Sequence, residues 1–172
     1  MYQKKSIRLV LLVVLLGLGV AIFLSGVSAW AIAGDKLALS NAVFQEIEVT
    51  DADGKKEIKQ VPAATAFPGS ELIYVITYKN IGDKPAEDVV INNPLAKELI
   101  YKDQSAKGDN AAVTLSVDGG KNYDDLAKLR IPTPDGIGRP AQVDDITDLK
   151  FTLRNKVLPQ EEGTVSFRAV LK

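Results

Sequence analysis

The sequence predicts an all-β fold, an antiparallel β-sandwich of about seven or eight strands behind an apolar N-terminal segment. Residues 34–172 contain short runs in which apolar and polar residues alternate, as they do in half-buried strands. Gly, Pro, Asn and Asp interrupt these runs, and those residues favour turns. No convincing run with the 3.6-residue period of an amphipathic helix occurs there. Seven or eight short strands in one chain of this length are typical of two packed sheets.

Residues 1–33 predict a secretory signal peptide. The basic residues of this segment are Lys4, Lys5 and Arg8. They precede an uncharged, mostly apolar run at 9–33, which ends in small residues spaced as signal peptidase requires. We expect this run to be an apolar helix and cleavage to follow Ala33. The protein is therefore predicted to be exported, to the cell surface or the extracellular medium.

The length of the apolar run leaves an alternative open. A signal-peptide core has about 7–15 residues, whereas about 20 apolar residues span a bilayer as a helix. An uncleaved leader would thus anchor a periplasmic or surface domain, with its basic end inside. Membrane contact is predicted only through residues 9–33, and only if the leader is retained.

The remaining 139 residues, 34–172, have the length of one domain. The whole chain has no cysteine and no histidine, which excludes Ser-His-Asp and Cys-His catalysis, histidine-ligated zinc and thiol redox chemistry. A hydrolase with two carboxylates stays open by composition, but we predict that the protein is not an enzyme. Residues 34–172 carry a net charge of about −4, which does not favour a nucleic-acid partner.

The strands are predicted in chain order from their alternation. A long first strand at 37–49 is followed by a turn at 51–54 and a returning strand at 57–61. The clearest strand is 71–79, with Leu72, Tyr74, Ile76 and Tyr78 on one face. The next strand is 87–92, with Val89 and Ile91 on one face.

The second half of the chain continues the pattern, with short strands at 99–102 and 113–117 and a tight turn at 118–120. Residues 122–130 are ambiguous and could hold a helical turn, and 131–143, rich in Pro and Gly, predict an irregular loop. Strands at 149–154 and 165–171 close the domain, joined by a turn at 158–163. Leu149, Phe151 and Leu153 are predicted to point inward, as are Val165, Phe167, Ala169 and Leu171.

A family resemblance is carried by the region 67–95. The matching residues are Pro68, Gly69, Tyr74, Ile76, Tyr78, Asn80, Gly82, Val89, Ile91 and Pro94. This pattern resembles the conserved-repeat domain of bacterial and archaeal surface proteins, although Asn93 stands where that family often has Asp. Residues 159–167 also resemble its closing strand. The resemblance implies an Ig-like β-sandwich, here in a single copy, at the cell surface or in secreted material.

Two acidic regions are candidate calcium sites, and each also has a plainer interpretation. Residues 51–54 could begin a calcium loop, but Lys55 and Lys56 follow where further oxygen ligands would be needed, which favours a hairpin turn. The other candidate cluster is Asp144, Asp145 and Asp148 with Asp124 or Asp125, for which a solvated acidic loop is the alternative. We predict no catalytic residues, no cofactor and no metal ligands.

Three further features are predicted to be structural. Asn80 should tie the following turn through its side-chain amide, and residues 158–163 should form a turn. Tyr74 and Tyr78 should be core residues with their hydroxyls near the rim. An aromatic platform for sugars is the alternative interpretation of the two tyrosines.

The function predicted from these observations is a secreted or cell-surface, non-enzymatic structural or adhesive protein. Residues 37–49 suggest self-assembly as a further hypothesis, because a long apolar strand behind a freed N-terminus could complete a neighbour's sheet. An ordinary first strand within its own sandwich is the alternative. The alternative function is a periplasmic or membrane-anchored binding module for a protein or glycan. Predicted partners are a second copy or another surface protein.

Overall fold

The chain forms β-strands and turns throughout the part that its computed structural model describes, residues 8–10, 31–33, 37–51 and 53–172. The strands are β1 (Arg8–Val10), β2 (Ala31–Ala33), β3 (Leu37–Thr50), β4 (Lys56–Pro62), β5 (Glu71–Asn80), β6 (Val90–Pro94), β7 (Leu99–Tyr101), β8 (Lys107–Gly108), β9 (Ala111–Ser116), β10 (Arg130–Ile131), β11 (Arg139–Pro140), β12 (Asp148–Leu153) and β13 (Glu162–Leu171). Two single-turn 3-10 helices occupy Leu126–Lys128 and Val143–Asp145. None of the described helices is long and apolar enough to cross a bilayer.

The smaller sheet has the strand order β1-β6-β12-β9. Its central strand, β12, is antiparallel to both β6 and β9, whereas β1 runs parallel to β6. Phe151 of β12 lies opposite Ile91 on one side and Val113 on the other. Because side chains alternate along a strand, Leu149 and Leu153 share the buried face of Phe151.

The larger sheet has the order β2-β3-β5-β13-β7, with β4 paired to β3 and β8 paired to β13. Its centre is the antiparallel pair of β5 and β13. Gly163 lies opposite Tyr78 in this pair, and the phenol ring covers the glycine so closely that any Cβ there would overlap it. The glycine thus makes room for the ring.

The inner faces of the two sheets share one hydrophobic core, which gives the all-β architecture of a sandwich. Ile76 and Phe167 enter it from the larger sheet, and Ile91 and Phe151 enter it from the smaller sheet. All four side chains are fully buried. Tyr74 stacks on Phe167 with ring centroids 4.9 Å apart.

Most of the strand predictions are confirmed to within two residues. The strands predicted at 37–49, 57–61, 71–79, 99–102, 113–117 and 149–154 are β3, β4, β5, β7, β9 and β12. The predicted inward faces of β5 and β12 are the faces that the core buries. The one predicted helical turn is the 3-10 helix at Leu126–Lys128.

Two strand boundaries and one predicted loop differ from the prediction. β6 begins at Val90 rather than 87, because Asp88 has a φ of 54° and breaks the extended run. β13 begins at Glu162 rather than 165, because its pairing with β5 starts there. Residues 131–143 are not wholly irregular, since Ile131 pairs with Arg139 in the short β10–β11 ribbon.

The predicted leader lies largely outside the described residues. Within residues 1–33 the structure gives only the backbone strands β1 and β2. The apolar helix, its cleavage after Ala33 and its use as an anchor therefore stay predictions.

Candidate functional site

A two-stranded ribbon, residues 45–61, extends beyond the larger sheet. β3 pairs with β5 only as far as Phe44, and its remaining residues pair with β4. Nearly all residues of β4 are exposed, with Ile58 at 64%. On β3, Ile47 is 39% exposed. The ribbon therefore presents apolar side chains to solvent that the core does not use.

The turn at the tip of the ribbon is held by Asp51. One oxygen of its carboxylate, Oδ1, accepts hydrogen bonds from the backbone N–H groups of Asp53 at 3.0 Å and Lys55 at 2.8 Å. Gly54 has a φ of 80°, a left-handed conformation that glycine adopts without strain. The predicted hairpin turn is confirmed, and its carboxylate is occupied by the turn.

An ion-pair cluster fixes the base of the ribbon to the outer face of the larger sheet. The guanidinium of Arg168 on β13 donates two hydrogen bonds to Glu46, at 2.7 and 3.0 Å. It also donates one to Glu71 of β5 at 2.8 Å. Lys102 donates to the other oxygen of Glu71 at 2.6 Å. Glu46 lies at the base of the ribbon. These contacts link it to β13 directly and to β5 through the arginine that Glu71 shares.

The opposite charges in this cluster stabilise each other's ionised forms. The Arg168 hydrogen bonds lower the pKa of Glu46, and those from Lys102 and then Arg168 lower the pKa of Glu71. The same contacts raise the pKa of Arg168. These groups line an open cleft of about 360 Å³ together with Gln45 and Ser70. Ligand pockets are mostly apolar and enclosed, so the cleft has the character of a structural ion cluster.

The acidic residues considered for calcium are not brought together. Asp145 receives two hydrogen bonds of 2.6 Å from Arg139, and Asp124 and Asp125 both pair with Lys128. Among the described residues, no group of three acidic side chains is placed to hold a metal ion. Arginine and lysine occupy the positions that a cation would need.

Asp148 lies apart from that group, beside the turn at 118–120. The Asp118 carboxylate accepts hydrogen bonds from the Ser116 hydroxyl at 2.7 Å and from the backbone N–H of Asn122 at 3.0 Å. These and related bonds lower the pKa of Asp118 to about 2. Burial raises the pKa of Asp148, which is only 7% exposed. The predicted tight turn is confirmed, whereas the burial of Asp148 was not predicted.

Asn80 ties the turn after β5, as predicted. Its amide nitrogen donates to the carbonyls of Lys84 and Val157, both at 2.8 Å, and its oxygen accepts from the N–H of Gly82 at 2.9 Å. The side chain is fully buried. The contact with Val157 extends the prediction, because it also joins this turn to the loop before β13.

The remaining site predictions concern aromatic residues and the closing turn. Tyr74 and Tyr78 belong to the core, and burial raises the pKa of Tyr74 to about 12. Tyr78 is buried and Tyr74 is partly buried against the core, which favours the structural interpretation over an exposed sugar platform. The turn at 158–163 is confirmed by the bond from the Leu158 N–H to the Glu161 carboxylate at 2.6 Å.

Comparison with protein-family models, with curated proteins and with solved structures gives no match for this chain. The ribbon and the ion cluster at its base are the candidate contact features among the described residues.

Proposed function

We propose that this chain is an exported, non-enzymatic structural or adhesive protein of the cell surface, and that the β3–β4 ribbon is its contact element. The observation that carries the proposal is the ribbon itself, which projects from the core, is exposed along both strands and is braced at its base by Arg168. A ribbon with a free edge and exposed apolar residues is suited to contact with another protein.

The chemistry of the described carboxylates supports a non-enzymatic role. A catalytic pair of acids needs two neighbouring carboxyl groups that can reach the substrate as proton donor and as base or nucleophile. Here Asp51 and Asp118 hold turns, and Glu46, Glu71 and Asp145 pair with arginine or lysine. The absence of histidine and cysteine from the sequence points the same way.

The fold is proposed to be Ig-like with one exchange of strands. The main strands, numbered in chain order without β1, β2, β4, β8, β10 and β11, are β3, β5, β6, β7, β9, β12 and β13. The first, second, seventh and fourth of them form one sheet, as β3-β5-β13-β7. The third, sixth and fifth form the other, as β6-β12-β9. A constant-type immunoglobulin domain has its fifth strand in the first of these sheets and its seventh in the second. Membership of the conserved-repeat surface family remains part of this proposal.

The alternative function is a periplasmic or membrane-anchored module that binds a protein or glycan. It shares the ribbon as contact element and differs in the fate of residues 1–33. Self-assembly by release of residues 37–49 receives no support, because the first half of β3 pairs with β5 and is buried within its own sheet.

Protease treatment of intact native cells tests the proposed location. The ribbon lysines Lys55, Lys56 and Lys59 are exposed, so we expect trypsin added outside the cells to cut there. Mass spectrometry of the same material should find Gly34 as the N-terminus. Retention of Met1 would favour the anchored alternative, and a protein protected from trypsin in the cytoplasmic fraction would contradict export.

A shortened ribbon tests the contact role. Residues 47–59 would be replaced by Asn-Gly, which favours a two-residue hairpin turn. We expect this variant to fold and be exported but to lose most of its attachment to the envelope or to neighbouring cells, measured by release into the medium and by cell adhesion. Unchanged attachment would remove the ribbon from the proposal.

A further inference from the structure

We propose that two copies of this chain pair through the free edge of β4, antiparallel and centred on Ile58, so that two ribbons form one four-stranded sheet. The inference rests on the proposed contact role of the ribbon and names its partner as a second copy of the chain. The partner follows from the arrangement of charge along β4.

The free edge of β4 supplies the hydrogen-bonding groups. Among the described strands, β4 pairs with β3 alone. The opposite edge of β4 therefore has unpaired backbone N–H and C=O groups, which can pair with another strand. An isolated two-stranded ribbon is marginally stable in water, whereas three or more strands are stable. Pairing two ribbons would supply the missing strands to both.

One register of this pairing brings opposite charges together. With Ile58 facing Ile58 of the second copy, Glu57 faces Lys59 and Lys59 faces Glu57, because antiparallel partners run in opposite directions. Among the described residues, Glu57 makes one ion-pair contact, a long one of 3.9 Å to Lys55. Lys59 makes no ion pair within the described part of the chain. Both groups are thus available for the partner.

The neighbouring registers are less favourable because of the same charges. Centring the pair on Glu57 or on Lys59 places like charges directly opposite each other, which destabilises a sheet. Half-step shifts are excluded by the alternation of side chains, because they would oppose residues from different faces of the sheet. Charge therefore selects the register centred on Ile58.

The two faces of the combined sheet are also compatible with this register. Lys56 is already paired with Glu48 of its own chain at 2.7 Å, and in the dimer it faces the neutral Gln60. On the other face, Lys59 lies beside Ile47 of β3. The intermolecular ion pairs would therefore lie between exposed apolar residues, which pairing partly buries. The two Ile58 side chains meet at the two-fold axis.

Charged residues on an edge strand can also protect it from pairing. Protection requires that no register be favourable, and the spacing of Glu57 and Lys59 around Ile58 does not meet that requirement. A two-fold pair uses the same surface on both copies and is closed. The expected product is a dimer and not a filament.

Single-cysteine variants of the full-length chain test this pairing without background, since the sequence contains no cysteine. Directly opposed residues in an antiparallel pair have Cα atoms about 4.5–5.5 Å apart, which is within the range of a disulfide. Ile58→Cys should form a disulfide-linked dimer under mild oxidation, measured on non-reducing gels. Gln60→Cys, on the same face, and the highly exposed Ile137→Cys are matched controls that should form several-fold less.

Charge reversal in the Ile58→Cys background provides the second readout. Glu57→Lys should lower the dimer yield several-fold, and adding Lys59→Glu should restore it. Equal yields at positions 58, 60 and 137, or no effect of charge reversal, would overturn the proposal. Capture of Ile58→Cys mainly in a mixed disulfide with a different protein would also overturn it. If trypsin cuts the ribbon on intact cells but no dimer forms, the proposed function stands and only the self-pairing is refuted.

Discussion

Two aspartates at one end of the smaller sheet have opposite effects on folding. Asp118 accepts several hydrogen bonds as a carboxylate, so its pKa is lowered from 3.8 to about 2. Its contribution to stability is complete above pH 3.8 and is lost as the pH falls toward 2. Asp148 is buried beside the Gly120 backbone, and burial raises its pKa above 3.8. The folded protein therefore binds the Asp148 proton more tightly than the unfolded chain, and ionisation of Asp148 reduces stability as the pH rises.

Asp148→Asn should increase the free energy of unfolding at pH 7 by roughly 0.5–2 kcal/mol, the usual range for a stabilising substitution. The gain should disappear at pH 3, where Asp148 is protonated in both states. The titratable groups around this site are Asp118, Tyr123 and Lys150. The ammonium of Lys150 lies 4.2 Å from the centre of the Tyr123 ring. Urea unfolding at both pH values measures the difference.

Asp144→Asn is the control for that measurement, because Asp144 is exposed in the 3-10 helix just before β12 and should change the free energy by less than about 0.5 kcal/mol. A gain of equal size at pH 3 and pH 7 would contradict a role for ionisation at Asp148.

The sequence predicted Asn80 better than Asp148 for a physical reason. The bonds of Asn80 to Gly82 and Lys84 are local, and asparagine before a glycine-containing turn commonly makes such bonds. Burial of Asp148 depends on how the loop after β9 lies against β12, which is a long-range contact. An aspartate beginning an alternating strand gives no sign of that contact.

At the level of elements, the ribbon is connected to the sandwich through Arg168. Ile73 lies between Phe44 and Arg168 in the register of the larger sheet and is only 8% exposed. The apolar part of the arginine side chain can cover this residue while its guanidinium reaches Glu46. One side chain thus contributes both burial and ion pairing at the base of the ribbon.

Arg168→Lys should loosen the ribbon, since lysine cannot form the two parallel bonds that a guanidinium makes to Glu46. These groups are largely exposed, so we expect a small increase in local opening and no loss of the fold. Hydrogen exchange of residues 45–61 should become a few-fold faster. Arg139→Lys removes an equivalent two-bond pair, with Asp145, far along the chain and should leave ribbon exchange unchanged. Equal acceleration by both substitutions would contradict the bracing role of Arg168.

Period-two alternation predicted the strands and their inward faces well, because burial on one face imposes that period directly. It placed the start of β6 too early, since the alternation of Val89 and Ile91 continues through a break that only the φ of Asp88 creates. The β10–β11 ribbon was missed because two-residue strands are too short to show a period. The ribbon at 45–61 was predicted as two strands, but its extension beyond the sheet depends on where β5 begins to pair.

The whole molecule depends on a single core that both sheets share. Phe151 lies at the centre of the smaller sheet, and its side chain is fully buried against residues of the larger sheet. Packing of this kind makes the unfolding of small domains cooperative. The two sheets should therefore lose stability together.

Phe151→Ala should lower the free energy of unfolding by about 3–5 kcal/mol, because it removes buried apolar surface and leaves a cavity. Circular dichroism in urea measures the change; the only tryptophan, Trp30, lies in the predicted leader, so its fluorescence is unsuitable. Amides of both sheets should lose the same amount of protection in hydrogen exchange. Ile137→Ala, at a highly exposed position, should have little effect. Loss of protection in the smaller sheet alone would contradict a shared core.

Under the proposed export, the position of β13 determines when the larger sheet can form. β13 is the latest of the described strands in the chain, yet it lies between β5 and β7 in the middle of the larger sheet. A chain that is still emerging from a translocation channel therefore has β3 and β5 outside but lacks the strand that joins β5 to β7. The larger sheet cannot close until residues 162–171 have crossed, so the polypeptide should remain extended and translocatable until nearly all of the domain has left the channel.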